Sequence, residues 1–163
     1  MSKNRSKGNY FVPLIAQLMD NSSIPIDERL LQAYLSSTYR VYQGTDECTD
    51  IFIGRKHPVL DQYLLEMGLQ NWVFITAWNP RSQILSIEEN ITKQTRLLAE
   101  VHNTGLSYFP GEGIGTDEEW PPEQSLWVPG VSLAVAVDWG KRFEQNAVVW
   151  GELGGKAELV FCC

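Results

Sequence analysis

The chain has 163 residues, 44% of them hydrophobic and 11% aromatic, with a formal charge of −7. That length supports a single domain whose core needs neither metals nor disulfides, and the composition excludes wholesale disorder and fibrous repeats. No uncharged apolar run reaches the roughly 18 residues that a membrane-spanning helix requires. The organisation expected is a flexible amino-terminal segment, 1–24, followed by one α+β domain over 25–163. Behind Pro25, Asp27–Leu35 reads as a short helix with Leu30, Leu31 and Tyr34 at helical spacing. Thr38–Tyr42 and Asp50–Ile53 read as strands separated by the turn-rich 43–47. Pro58–Met67 carries the helical stripe Val59, Leu60, Tyr63, Leu64, Met67 and stops at Gly68.

The second half begins with Asn71–Trp78, a run of aromatic and β-branched residues suited to a central strand, closed by Asn79-Pro80-Arg81. Ser86 with Glu89 three residues on forms a capping box, opening a helix that runs to about Asn103. Its expected buried stripe is Ile87, Ile91, Leu98 and Val101, with Leu97 alongside. Leu106–Phe109 reads as a short strand, 111–122 as a Gly-, acid- and Pro-rich excursion, and Glu123–Val128 as a returning strand. Ser132–Phe143 is helical, with Leu133, Ala136, Val137, Gly140 and Phe143 on one face. Asn146–Trp150 and Ala157–Phe161 complete the strands.

From Asn71 to Trp150 the order is β-α-β-β-α-β. Two split βαβ units of this kind predict a ferredoxin-like sandwich, an antiparallel sheet with both helices on one face. The preceding helix-hairpin-helix forms an extension that either lengthens the sheet or covers its open face. In this layout the carboxyl end of the first strand meets the amino ends of the third and fourth. Asn79 and Arg81, Asn90 of the first helix, Glu123 and Ser125, and Gln145 and Asn146 then converge on one rim, with Trp78, Trp127 and Trp150 nearby. Polar groups gathered beside aromatic walls are what a small-ligand pocket requires. Each has a structural alternative: an Arg81–Glu123 ion pair closing the sheet edge, Asn90 bonding an exposed strand end, Asn146 in a left-handed turn after a helix, tryptophans that only fill the core.

Charge argues against nucleic acid. Lys3, Arg5 and Lys7 lie in the first seven residues, whereas Leu97 to Gly140 contains no Lys or Arg and seven acids, which would repel a phosphate backbone. Metal and cofactor sites are not expected. Cys48, Cys162 and Cys163 form no zinc spacing, and His57 and His102 lack ligand partners at i+3 or i+4 and suit helix-end roles. The stretch Tyr10–Met19 behind the basic residues is interrupted by Pro13 and Gln17 and is followed by no small-residue cleavage site, so a cytoplasmic location is expected. Gly111-Glu112-Gly113-Ile114-Gly115 precedes an acidic loop instead of a helix and does not read as a phosphate cradle. The acids at 112 and 117–119 lack EF-hand spacing. Ser125 sits in no nucleophile elbow, and only Glu123 among the acids falls at the rim.

Thr38-Tyr39-Arg40-Val41, Ile53-Gly54, Phe74-Ile75-Thr76-Ala77-Trp78-Asn79-Pro80, Glu89-Asn90, Glu123-Gln124-Ser125 and Gln145-Asn146-Ala147-Val148-Val149-Trp150 occur in this order. Together they resemble the bacterial domain-of-unknown-function family 3293, over roughly Leu30 to Trp150. Where members of that family tend to read Phe-Gly-Gln-Asn-Ala, this chain has Phe143-Glu144-Gln145-Asn146-Ala147. The resemblance implies a bacterial cytoplasmic domain and supplies no catalytic residues. The residues themselves lead to two expectations. One is a small polar or anionic ligand at the rim, with Arg81 pairing an anionic group, Asn79, Asn90 and Gln145 giving directional hydrogen bonds, and Glu123 accepting. The other is a non-enzymatic interaction or regulatory domain acting through a sheet face or edge, for instance as a homodimer.

Overall fold

The computed structural model describes residues 27–162. The expected flexible segment 1–24 lies outside the described residues, as does Cys163. The described chain is an α+β fold with four helices and one seven-stranded sheet in which every neighbouring pair is antiparallel. In chain order the elements are α1 (Glu28–Ser36), β1 (Thr38–Tyr42), β2 (Cys48–Ile51), α2 (Pro58–Met67), β3 (Asn71–Ile75), α3 (Ile87–Asn103), β4 (Phe109–Ile114), β5 (Glu123–Pro129), α4 (Leu133–Arg142), β6 (Ala147–Glu152) and β7 (Glu158–Phe161). The strand order is β2-β1-β4-β5-β3-β6-β7, so β3 lies between β5 and β6.

Helix limits follow local chemistry. Asp27 Oδ1 accepts from Arg29 N at 2.9 Å and caps α1. Both halves of the Ser86–Glu89 capping box form at α3, and α2 ends at Gly68 in the left-handed region (φ 68°). Helices α3 and α4 cover one sheet face. Leu97, Val101, Ala136, Val137 and Trp139 pack there with Val73, Leu126, Val128, Val148 and Trp150. Arg142 of α4 joins the two helices at the surface by pairing with Glu100. On the other face Leu60 and Leu64 of α2 pack with Tyr39, Val41, Ile51, Trp72, Phe74 and Trp127. No helix among the described residues is long and apolar enough to cross a membrane.

Four expectations are corrected. The second strand is Cys48–Ile51, not Asp50–Ile53; its register is set by pairing across β1, where Tyr42 meets Cys48 and Tyr39 meets Ile51. β3 ends at Ile75, three residues before Trp78, because α3 side chains take over its backbone donors. Gln94 Oε1 accepts from Ala77 N and Asn90 Oδ1 from Asn79 N, each at 2.9 Å.

The same contacts rotate α3. Its buried face is Asn90, Gln94, Leu97 and Val101, while Ile87 and Ile91 stay 64% and 48% exposed and Leu98 is also exposed. Two amides take inner positions because each finds a backbone N–H there, which removes the penalty for burying them. Finally, β4 is not Leu106–Phe109 but Phe109–Ile114, through the glycine run. A Cβ on Gly111 would meet Arg40 O at 2.5 Å and Phe74 Cε2 at 2.8 Å. Glycine is what lets β4 lie between β1 and the Phe74 ring, so the residue that resembles a loop signal is a packing requirement.

Candidate functional site

Beyond the end of β3 the chain turns sharply. Asn79 (φ 45°), Arg81 (φ 56°) and Ser82 (φ 58°) all adopt left-handed backbone. Such geometry is tolerable for Asn but costs a bulkier residue about 1–2 kcal/mol. Backbone bonds hold the turn: Arg81 N donates to Glu144 O at 2.8 Å, and Ser82 N to Asn79 O at 2.9 Å. Side chains complete it. Asn79 Oδ1 accepts from Leu85 N at 3.0 Å and from Asn90 Nδ2 at 2.9 Å. With its oxygen so occupied, the Asn79 amide must turn its nitrogen outward, and Nδ2 donates to Glu123 Oε1 at 2.8 Å. Trp120 Nε1 donates to the same oxygen at 3.2 Å.

Glu123 therefore sits at the amino end of β5 with Oε1 doubly bonded. Among the described residues it has no ion pair. Burial raises its carboxyl above the ordinary glutamate value, opposed by the hydrogen bonds from Asn79 and Trp120. Its other oxygen, Oε2, makes no hydrogen bond among the described residues, and Glu123 lines a partly open cavity of about 360 Å³ between α1, β3, β5, β6 and the loop carrying Trp120. Tyr39, Phe74, Val149 and Leu30 give this cavity apolar walls, and Asn79, Ser125 and Gln145 also line it. Gln145 is only 7% exposed. Its Nε2 donates to Trp78 O at 3.1 Å and Phe143 O at 3.3 Å, so the group it can offer the cavity is the acceptor Oε1. Ser125 Oγ donates to Glu123 O at 3.0 Å.

The seven residues singled out from the sequence divide in two. Asn79, Glu123, Ser125 and Gln145 line the cavity. Asn90 stands behind Asn79 and orients it, and Asn146 Nδ2, just before β6, donates to Ser82 Oγ at 3.0 Å and supports the strained turn. Arg81 shares the turn by its backbone, but its side chain is exposed and is not part of the cavity lining. The expected Arg81–Glu123 ion pair is absent, because the left-handed backbone at Arg81 is bound to Glu144 and its side chain stays at the surface.

The aromatic setting also differs. Trp127 and Trp150 are core residues of opposite sheet faces, Trp78 is half-buried, and none of the three lines the cavity. Trp120 fills that role, with Tyr34 of α1, whose hydroxyl lies 3.4 Å from Ser82 Oγ. Burial raises the Tyr34 hydroxyl above its ordinary value. Trp120 lay hidden in an acidic, Pro-rich loop with no periodicity, and Tyr34 in what resembled an ordinary helical stripe. The one available signal was spacing: Trp120 stands three residues before Glu123, at the mouth of the strand.

Residues 75–148 match the model of a family described as protein of unknown function (DUF3293). All seven candidate residues, and Trp120, fall inside that segment. No curated protein and no solved structure matches the chain.

Proposed function

We propose, for a chain that belongs to the DUF3293 family through its segment 75–148, that it binds a small polar organic molecule in the rim cavity. The host would be a ferredoxin-like core, β3-α3-β4-β5-α4-β6. The observation that carries this reading is Glu123, a largely buried carboxylate without an ion partner among the described residues, fixed through one oxygen and open to the cavity through the other. Burying an uncompensated charge costs free energy. A group needed only to close the sheet edge could be Gln at no such cost. Ser125 and Gln145 add polar contacts, Asn79 and Asn90 preorganise the acid, and the apolar walls supply most of the contact area. Glu123 would be the acid–base group of any reaction there.

The test is a thermal-shift screen of small organic compounds on the wild type and on Gly113→Leu. Gly113 lines the cavity, and a Cβ there meets only Ser125 Oγ, at 3.9 Å. The larger side chain fills the space without clashing at its root. A ligand at a hundredfold its dissociation constant adds about 2.7 kcal/mol of stability. Hits on the wild type that vanish in a folded Gly113→Leu support the reading; hits that survive, or a screen with none, contradict it.

A second reading, an interaction domain, is favoured by one observation. Ile87, Ile91 and Leu98 leave an exposed apolar stripe along α3, with Ile84 just before it and Val135 of α4 also exposed, and apolar patches of this kind mark contact surfaces. Under it the chain is a dimer in light scattering and Ile87→Glu/Ile91→Glu makes it a monomer.

A further inference from the structure

Deepening the cavity reading, on which it rests, we infer that the ligand is a small amine: a cationic head on an apolar or aromatic body, with the head lodged between Glu123 Oε2 and Gln145 Oε1. The first ground is charge. The described residues that line the cavity include Asp117 and Glu123 but no Lys, Arg or His. An anion there would face two carboxylates with no compensating charge, and Arg81, the cation expected to receive one, lies outside the lining.

The second ground is the direction of the hydrogen bonds. The side-chain donors around Glu123 and Gln145 are spent on the protein itself. Asn79 Nδ2 and Trp120 Nε1 are held by Glu123, Gln145 Nε2 by two carbonyls, Thr76 Oγ1 by Gln124 O at 2.5 Å, and Ser125 Oγ by Glu123 O. What remains beside the acid are the acceptors Glu123 Oε2 and Gln145 Oε1, the latter on a residue more than nine-tenths buried, while the hydroxyls of the Tyr34–Ser82 pair and of Thr116 further round the lining can both donate and accept. A site rich in acceptors calls for a donor-rich head, and an ammonium offers three donors and no acceptor. The third ground is the wall. Phe74, Tyr39 and Trp120 present aromatic surface beside the acid, which suits an apolar body and favours a cation over a neutral group.

The experiment compares three matched probes on the full chain at neutral pH, by calorimetry and ligand-observed NMR: 2-phenylethylamine, 2-phenylethanol and phenylacetate. The amine should bind at least tenfold more tightly than either of the others. Glu123→Gln, which keeps an acceptor for Asn79 and Trp120, should erase that preference while leaving the melting temperature within a few degrees. N-acetylation of the amine removes the charge from the ligand side, so it tests the same contact without any variant and should also cost at least tenfold.

Equal affinities, a preference for phenylacetate, no binding by any of the three, or a preference that persists in Glu123→Gln would overturn the inference. Failure here is separable from failure of the cavity reading. Alcohol or carboxylate binding that Gly113→Leu abolishes keeps the cavity as a ligand site and rejects the amine.

Discussion

Replacing Glu144 by Gly should stabilise this protein, against the usual outcome of substituting glycine. Glu144 follows the last turn of α4 at φ 55°. Its N–H donates to Lys141 O at 3.1 Å, and Gln145 N donates to Gly140 O at 2.8 Å. These are the two bonds of a Schellman ending, in which glycine normally takes the left-handed position. The Glu144 side chain is exposed and makes no ion pair among the described residues, so nothing is lost with it. A side-chain-bearing residue in left-handed backbone costs about 1–2 kcal/mol. Glycine gives back about 0.4–1 kcal/mol through the greater freedom of the unfolded chain. The net gain is about 0.5–1 kcal/mol, or roughly 1–4 °C in melting temperature for a chain of this length.

Urea unfolding with an unchanged m-value measures the gain directly, and Glu144→Ala is the control. Alanine keeps the Cβ and should gain only a few tenths of a kcal/mol at most. Equal stability of Glu144→Gly and wild type, or an equal gain from Ala and Gly, would refute the backbone argument.

Asn90→Ala removes both the acceptor for Asn79 N and the donor to Asn79 Oδ1 in a buried site. It should cost about 2–4 kcal/mol by chemical denaturation, and a loss under 1 kcal/mol would show that the turn holds itself. Glu123 is an acid whose carboxyl is raised by burial. Its destabilising contribution is present above its folded value and gone below the ordinary 4.5. Glu123→Gln should therefore be at least as stable as wild type at pH 7, with any advantage fading as the pH falls toward 4; a variant less stable at pH 7 contradicts this.

His57 has the opposite sense. Burial lowers it below the ordinary 6.5, and Nε2 accepts from Phe52 N at 3.1 Å, a bond that protonation removes. Its stabilisation is present above pH 6.5 and lost as the pH falls through its depressed value. The unfolding free energy should decline between pH 7 and 5 less steeply in His57→Gln than in wild type, and identical slopes would rule the histidine out.

Elements with a local cause were legible in the sequence. β1 and α2 have the limits that their patterns indicate, and α3 starts where the Ser86–Glu89 box puts it. Errors arose where a distant group decides. Asn71–Trp78 carries strand propensity to its end, yet Asn90 and Gln94 cap the strand early. Those two amides also rotate the buried face of α3, keeping Leu97 and Val101 inside but leaving Ile87 and Ile91 out; the alternative of Asn90 bonding the strand end was legible, whereas nothing in the apolar pattern marks Gln94 as its companion. Gly111 has the appearance of a turn in one dimension and is a close-packing site in three. Chain order alone brought Asn79, Glu123 and Gln145 to one rim. It could not say that Arg81 turns to solvent, since that depends on a left-handed backbone fixed by Glu144 O. The strain at Glu144 was foreshadowed only by the resemblance, which has glycine there.

The most direct test of the cavity as a binding site is a ¹⁵N-HSQC titration with 2-phenylethylamine that follows the six tryptophan indole resonances. Trp120 Nε1–H donates to the Glu123 carboxylate at the cavity, whereas Trp150 Nε1–H is bound to Val131 O in the core beneath α4. The account predicts a saturable shift of the Trp120 indole with that of Trp150 unmoved. Saturation centred on Trp150 or on the outer face of α3, with Trp120 unchanged, would contradict it.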